Sequence, residues 1–316
     1  MIALKQALSG YLELRRNLGF KLERDEMRLR CFLAFLESEK NSRITSQLAL
    51  RFATRLESRS PLTVAGDLRA IRGFARYMIG VDPATEVPAS GLLGRCRSRF
   101  KPHIYSAEEI RQLLEAARNH PSSEKFALKP ASLYCLLGLL AATGMRLSEA
   151  LSLRPEDIDW SESLLRIQKA KFLKSRLVPL QRSTLSQLRI YAKRRDEFFA
   201  ERPLPPGARF FVTSRGSPYS YTYVNMQFRD LSRSIGLRVP GQRRGPRIHD
   251  LRHRFAITTL LRWYRSGKQI DQFLPVLSTY LGYRNVTGTY RYLSCTSELM
   301  KGAGKRLEAR WQEGRS

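Results

Sequence analysis

One break in composition does most to limit the folds open to this chain. Residues 82–104 (DPATEVPASGLLGRCRSRFKPHI) hold three prolines, two glycines, three arginines, a lysine and a histidine. Such a stretch interrupts helix and strand alike and reads as a linker. The residues before it are patterned for helix, and those after it mix helical periods with one hairpin signal. The expected division is 1–95, a basic linker over 96–104, and 105–316, in line with the two domains that 316 residues suggest.

In the first part, Leu4, Leu8, Tyr11, Leu12 and Leu18 recur at helical spacing, as do Leu29, Phe32, Leu33 and Leu36. A third helix is expected over 45–56, with Thr45 or Ser46 as cap. A fourth is expected over 62–78, with Pro61 at its start and Gly80 at its end. Arg15, Arg16, Arg28, Arg51, Arg55, Arg69, Arg72 and Arg76 interleave these stripes. Singly each reads as a solvated side chain; as a set they favour a phosphate-facing surface. Beyond the linker, Ser106 and Glu109 form a capping-box pattern for a helix over 106–118. Residues 131–142 are apolar enough for a buried helix, and 147–153 begin another that ends before Pro155. Residues 164–168 and 176–180 flank a lysine-rich turn, KAKFLKS, and predict a β-hairpin. A further strand is expected over 210–213. From Tyr221 the pattern is helical to the end, with breaks at 236–248 and 282–288. The fold class expected is mostly α with a small β-sheet.

Charge narrows the function. Lys and Arg number 56 against 28 Asp and Glu, a formal net of +28 and a pI near 10.7. Self-repulsion at that charge opposes compaction, so the excess points to a polyanionic partner. It is not a basic tail: residues 1–104 carry 19 basic and 10 acidic side chains, and 105–316 carry 37 and 18. Hydrophobic residues at 42% exclude disorder as the whole answer. No apolar run approaches the roughly 18 residues of a membrane span, since the longest, 133–142, is broken by Gly138. The opening MIALKQALSGYLELRRN lacks a continuous apolar core and a small-residue cleavage site, so no secretory signal is expected. Cys31, Cys96, Cys135 and Cys295 show no CxxC spacing, which argues against a zinc ribbon or disulfide scaffold and fits a reducing cytoplasm.

Four segments carry the chemistry. The first is Thr143-Gly144-Met145-Arg146-Leu147-Ser148-Glu149, in which Arg146 opens a helix with its fork available to an anion. The second is Lys171 in the hairpin turn. The third is His249-Asp250-Leu251-Arg252-His253, whose positions 249, 252 and 253 share one helical face. The fourth is Leu281-Gly282-Tyr283, with Tyr292 nine residues on. His249 and His253 at i, i+4 superficially suggest a zinc pair, but the glutamate of HExxH is missing and no third ligand is evident. Neither a metal nor another cofactor is expected.

Taken in order, TGMRLSE, KAKFLKSRLVPL, HDLRH, LGY and Tyr292 resemble the tyrosine recombinase (phage integrase) family, of the two-domain Xer-like or transposon-encoded type. The resemblance spans 105–293 and extends to the first part, which looks like the family's helical, SAM-like core-binding domain. It implies a DNA-binding domain over 1–95 and a catalytic domain over 105–316 with a C-terminal tail over 297–316. It leaves no place for an extra arm-type DNA-binding domain. It implies a site-specific recombinase that cuts and rejoins DNA through a covalent 3′-phosphotyrosine, without metal or ATP, for integration or transposition of a mobile element. Arg146 and Arg252 would clamp the phosphate oxygens, and Tyr292 would be the nucleophile, with Tyr290 as its rival. Lys171 would protonate the departing 5′ oxygen, with Lys169 and Lys174 as competitors. His249 would assist proton movement, and Glu149 would buttress the site. Tyr283 stands where the family usually has His or Trp, and its hydroxyl would give one hydrogen bond to the phosphate. The partners implied are a double-stranded recombination site and three further copies of the chain, as a homotetramer on two DNA sites, with no membrane. The tail would dock on a neighbouring protomer. A non-catalytic DNA-binding regulator on the same fold and a type IB topoisomerase are the other readings.

Overall fold

The computed structural model describes residues 2–92, 102–168, 175–239, 241, 245–283, 285–290, 292–293, 300 and 304. The chain forms two compact units, Met1–Phe100 and Lys101–Ser316. The first holds four helices: α1 (Ile2–Asn17), α2 (Glu23–Ser38), α3 (Ser46–Thr54) and α4 (Pro61–Met78). Thr45 caps α3 by accepting from the Leu48 amide, and Ser60 caps α4 ahead of Pro61. Leu4, Leu8 and Leu12 of α1, Leu29, Phe32, Leu33 and Leu36 of α2, and Phe52 and Phe74 fill one apolar core. Leu18 does not join them. It lies just past the end of α1, beside Gly19 at φ 84°, and is 63% exposed.

The second unit runs α5 (Ala107–Arg118), α6 (Leu128–Thr143), α7 (Leu147–Ser152), β1 (Ile158–Asp159), β2 (Leu164–Ile167), β3 (Arg176–Pro179), α8 (Arg182–Phe198), α9 (Tyr221–Ser234), α10 (Asp250–Arg265), α11 (Ile270–Leu281) and α12 (Thr287–Tyr290). The three strands are antiparallel in the order β1-β2-β3, with Leu165 opposite Val178 and Ile167 opposite Arg176. Ser106 and Glu109 make the expected capping box. One core surrounds α6, and a second gathers Ala256, Ile257, Leu260, Leu274, Leu277, Leu281 and Tyr292.

Two elements lie outside the sequence pattern, and one expected strand is not formed. β1 is only two residues long. α8 (RSTLSQLRIYAKRRDEF) is so basic that its buried stripe of Leu185, Leu188 and Tyr191 is thin. Residues 210–213 make no strand: a single bridge joins Val212 to Pro218 around the turn at Gly216, and Phe210, Phe211 and Val212 are core residues instead. Among the described residues, no helix is long and apolar enough to cross a membrane.

Candidate active site

The site is organised by the last turn of α11. A helix ends with backbone carbonyls that have no intrahelical partner and with the negative end of its dipole. Here three consecutive carbonyls each accept from a different arginine. Arg176 Nε donates to Tyr280 O at 2.7 Å, Arg252 Nη2 to Leu281 O at 2.5 Å, and Arg146 Nη2 to Gly282 O at 2.9 Å. Gly282 closes the helix at φ 67°, and a Cβ there would lie 2.9 Å from Arg176 Nη1. The Leu-Gly pair before Tyr283 is thus a cap that collects guanidinium groups, and only glycine suits both its dihedral and its crowding.

Arg146 is the N-cap of α7. Its amide donates to Glu149 Oε2 at 2.8 Å and its Nη1 to Glu149 Oε1 at 2.7 Å. Arg176, in β3, donates to both oxygens of the same carboxylate, at 3.0 and 2.8 Å. Burial alone would raise the Glu149 pKa. The hydrogen bonds and charge of Arg176, then those of Arg146, outweigh burial and bring it to about 2. Glu149 therefore carries its charge at neutral pH and fixes two cations. Arg252 is 1% exposed, and its Nη1 donates to Gly144 O at 3.0 Å. Gly144 caps α6 at φ 61°, where a Cβ would strike Phe255 at 2.6 Å. Segments far apart in sequence (143–149, 176, 249–253, 280–283) are joined through these arginine–carbonyl bonds.

Tyr283 and Tyr292 complete the cluster. Their hydroxyl oxygens are 2.6 Å apart. Arg252 Nε reaches the Tyr283 hydroxyl at 3.5 Å, the outer limit of a hydrogen bond. The Tyr283 ring lies 4.7 Å from the Arg252 guanidinium carbon and 5.8 Å from that of Arg146. Tyr292 is fully buried, whereas Tyr290 is 51% exposed. His249 sits at the N-terminus of α10, with its ring edge-on to His253 at 5.1 Å; His253 in turn meets the Tyr292 ring at 5.5 Å. Burial, then the neighbouring His253 ring and the positive charges of Arg252 and Arg247, pull the His249 pKa down to about 4, against the opposing charge of Asp250. His249 is therefore neutral at pH 7.

The structure thus brings Arg146, Glu149, Arg252, Tyr283 and Tyr292 together, with His249 joined to Tyr292 through His253. Lys171 and its competitors Lys169 and Lys174 lie outside the described residues, as do all but two positions of the tail. Arg176 is a site residue that sequence reasoning misses. The signal available is its place in the RLVPL strand beside the lysine-rich turn, but a strand arginine opposite Ile167 has the pattern of a solvated residue. Tyr283, expected to give a hydrogen bond to the phosphate, has its hydroxyl against that of Tyr292 in this structure. Among the described residues, no group of three or more His, Cys, Asp or Glu is placed to hold a metal ion.

A family model described as the phage integrase family matches residues 104–298. The chain belongs to that family. It is a tyrosine recombinase. A Sinorhizobium fredii relative named as an integrase/recombinase, y4rB, is 43% identical to this recombinase over 314 residues, covering 99% of both chains. The tyrosine recombinase XerD of Caulobacter vibrioides is 30% identical over 244 residues, 76% of this chain and 72% of the relative. Among solved structures, the Tn1549 transposon integrase in complex with transposon right end DNA shares the recombinase's fold, with a TM-score of 0.67 at 16% identity over 96% of this chain and 98% of that one.

Proposed function

We propose that this recombinase cuts and rejoins double-stranded DNA through a covalent 3′-phosphotyrosine on Tyr292. The observation that carries the reading is the charge balance around Tyr292: two guanidiniums, Arg146 and Arg176, share one carboxylate, Glu149, and a third, Arg252, is held beside them by the backbone carbonyls of Gly144 and Leu281. A cluster with that surplus is matched to an added anion, and most of all to the phosphorane-like state of phosphoryl transfer, whose oxygens carry extra negative charge. Arg146 and Arg252 clamp those oxygens. Tyr292 Oη bonds to phosphorus as the bond to the 5′ oxygen breaks. The phenol proton passes by way of His253, which lies between Tyr292 and His249, to the neutral His249, and Lys171 supplies one to the leaving oxygen. The energy of the broken ester stays in the new one, so rejoining needs neither ATP nor a metal ion. Arg176 and Glu149 touch no substrate and act by positioning Arg146.

The first unit serves as the core-binding domain, four copies assemble on two DNA sites, and the tail docks on a neighbouring protomer. The element served is a mobile one, integrated or transposed in the cytoplasm. The similarity to y4rB and the fold shared with the Tn1549 integrase support this reading. The test is covalent trapping on a nicked suicide duplex taken from the gene's own flanking sequence, in EDTA. Expected is an adduct that maps to Tyr292; an adduct that forms only with added metal, or maps to Tyr290, overturns the mechanism. One observation favours a second reading, a non-catalytic DNA-binding regulator: the side chain of Tyr292 is fully buried. Binding without any adduct would select it.

A further inference from the structure

The burial of Tyr292 needs a physical account if it is to attack a phosphate. Reacting atoms must approach to about 3–3.5 Å. A residue with no exposed surface is out of reach of a water molecule, and of a phosphodiester, which is larger. Something must hold Tyr292 inside, and something must let it go. The hydroxyl group against it belongs to Tyr283, at 2.6 Å.

Tyr283 also touches the anion-binding side of the site. Arg252 Nε points at its hydroxyl, and its ring faces the guanidiniums of both Arg252 and Arg146. One side chain therefore joins the buried phenol to both arginines. Glycine at 288 makes room for it: a Cβ there would lie 3.1 Å from Tyr283 Cδ1. A phenol has a single proton to donate. A phosphate seated between Arg146 and Arg252 is a charged acceptor, and hydrogen bonds to such acceptors are roughly twice as strong as those between neutral groups.

We propose that Tyr283 is a positioning residue whose hydroxyl exchanges partners: it latches Tyr292 in a sheltered position when no DNA is bound, and turns to a non-bridging phosphate oxygen when a phosphodiester occupies the arginine clamp. The exchange makes and breaks no covalent bond. The Tyr283 proton stays on its oxygen, and Arg252 Nε–H passes from the phenol to the phosphate. Seating of the phosphate is thereby coupled to release of the attacking group, so an unoccupied or badly seated site leaves Tyr292 shut away. The proposal rests on Tyr292 being the nucleophile.

The experiment is nitration of the full-length, DNA-free protein by tetranitromethane, read tyrosine by tyrosine by peptide mass spectrometry. Tyr290, half-exposed, is the reactive standard, and the buried Tyr191 is the protected one. In the wild type, Tyr292 should react like Tyr191. Tyr283→Phe keeps the ring and removes the hydroxyl. It should raise Tyr292 nitration about fivefold, the factor that one net hydrogen bond of about 1 kcal/mol represents, with Tyr290 and Tyr191 unchanged. Inorganic phosphate should raise Tyr292 nitration in the wild type and add nothing in Tyr283→Phe. If Tyr191 also becomes reactive in Tyr283→Phe, the fold has loosened, and Tyr283→Leu, which likewise has no hydrogen-bonding group, replaces it with the same expectation. Equal Tyr292 reactivity in wild type and variant, or no response of the wild type to phosphate, overturns the latch. Absence of any wild-type adduct on the nicked duplex overturns the nucleophile assignment instead, whatever the nitration shows.

Discussion

Each unit of this recombinase contains a buried carboxylate that holds two arginines, and the two networks do different things. In the first unit, Asp67 of α4 pairs with Arg28 Nε at 3.0 Å and with Arg59, and Arg28 also meets Asp25 at 3.1 Å. In the second, Glu149 pairs with Arg146 and Arg176. The exposures match closely: the Arg28 and Arg146 side chains are both 20% exposed, and the Asp67 and Glu149 side chains 3% and 5%. The charges do not. Two guanidiniums meet two carboxylates around Asp67, and that network is neutral. Two guanidiniums meet one carboxylate at Glu149, and a third, Arg252, lies beside them on backbone carbonyls. The first is a staple between α2 and α4, with Arg28 lying over Gly66 so closely that a Cβ there would fall 2.7 Å from its Nη2. The second is left with a net positive charge among these groups. A buried ion pair is weak evidence of function; the excess left after pairing is better evidence.

The largest expected effect comes from the tyrosine that the excess surrounds. Tyr292→Phe should abolish the covalent adduct on the nicked duplex and leave DNA binding intact, while Tyr290→Phe should keep the adduct. The reverse pattern would detach the charge cluster from the chemistry. Next is Arg252→Lys. A lysine cannot reach Gly144 O, Leu281 O and a phosphate together, and the loss of one such donor typically lowers turnover by about 10²–10³. A drop in adduct formation of less than about tenfold would place Arg252 in a structural role like that of Arg28.

How much of this is legible in the sequence depends on the range of the interactions. The capping box at Ser106 and Glu109 and the apolar stripes of α1 to α4 are local, and neighbouring residues signal them directly. The ordered segments around Arg146, Arg252 and Tyr292 are legible because their spacing matches a family pattern. Arg176 is not, because its partners Glu149 and Tyr280 are 27 and 104 residues away and strand periodicity treats it as a surface residue. The 210–213 segment misleads for a similar reason: three apolar residues ahead of a turn fit a strand as well as a buried loop, and tertiary packing decides. The bond from Tyr283 to Tyr292 depends on how the chain turns back through α12, which spacing alone does not encode.

A paired substitution compares the two networks directly. Asp67→Asn leaves Arg28 and Arg59 short of a counter-charge and should reduce stability by about 1–3 kcal/mol, a discounted value for pairs that are partly solvated. At saturating DNA its adduct rate should stay within about twofold of wild type, since a twofold change is only about 0.4 kcal/mol. Glu149→Gln should lower the adduct rate by about tenfold, the equivalent of one weakened charge-assisted contact at Arg146. If Asp67→Asn slows chemistry as much as Glu149→Gln does, charge excess does not separate the staple from the site.

The smallest effect is in the pH dependence, and it separates two groups within the second unit. His249 is held near pKa 4 by burial and by its positive neighbours, against an ordinary value of 6.5. Between those values the unfolded chain binds a proton that the folded chain refuses, so stability falls as pH drops from about 6.5 to about 4. Glu149 is held near 2 against an ordinary 4.5, because the arginine bonds outweigh its burial. Its contribution is complete above about 4.5 and is lost as pH falls toward 2. Urea unfolding across pH should therefore show His249→Asn flattening the upper window only, and Glu149→Gln the lower only. A bound phosphate offsets the Arg252 and Arg247 charges that help to depress His249, so its pKa should rise on DNA binding. Calorimetry near pH 5 in buffers of different ionisation enthalpy should then record proton uptake by the wild type and less by His249→Asn. Equal uptake in both proteins would mean that the phosphate settles away from His249, and the proton path proposed for Tyr292 would have to run through His253 alone.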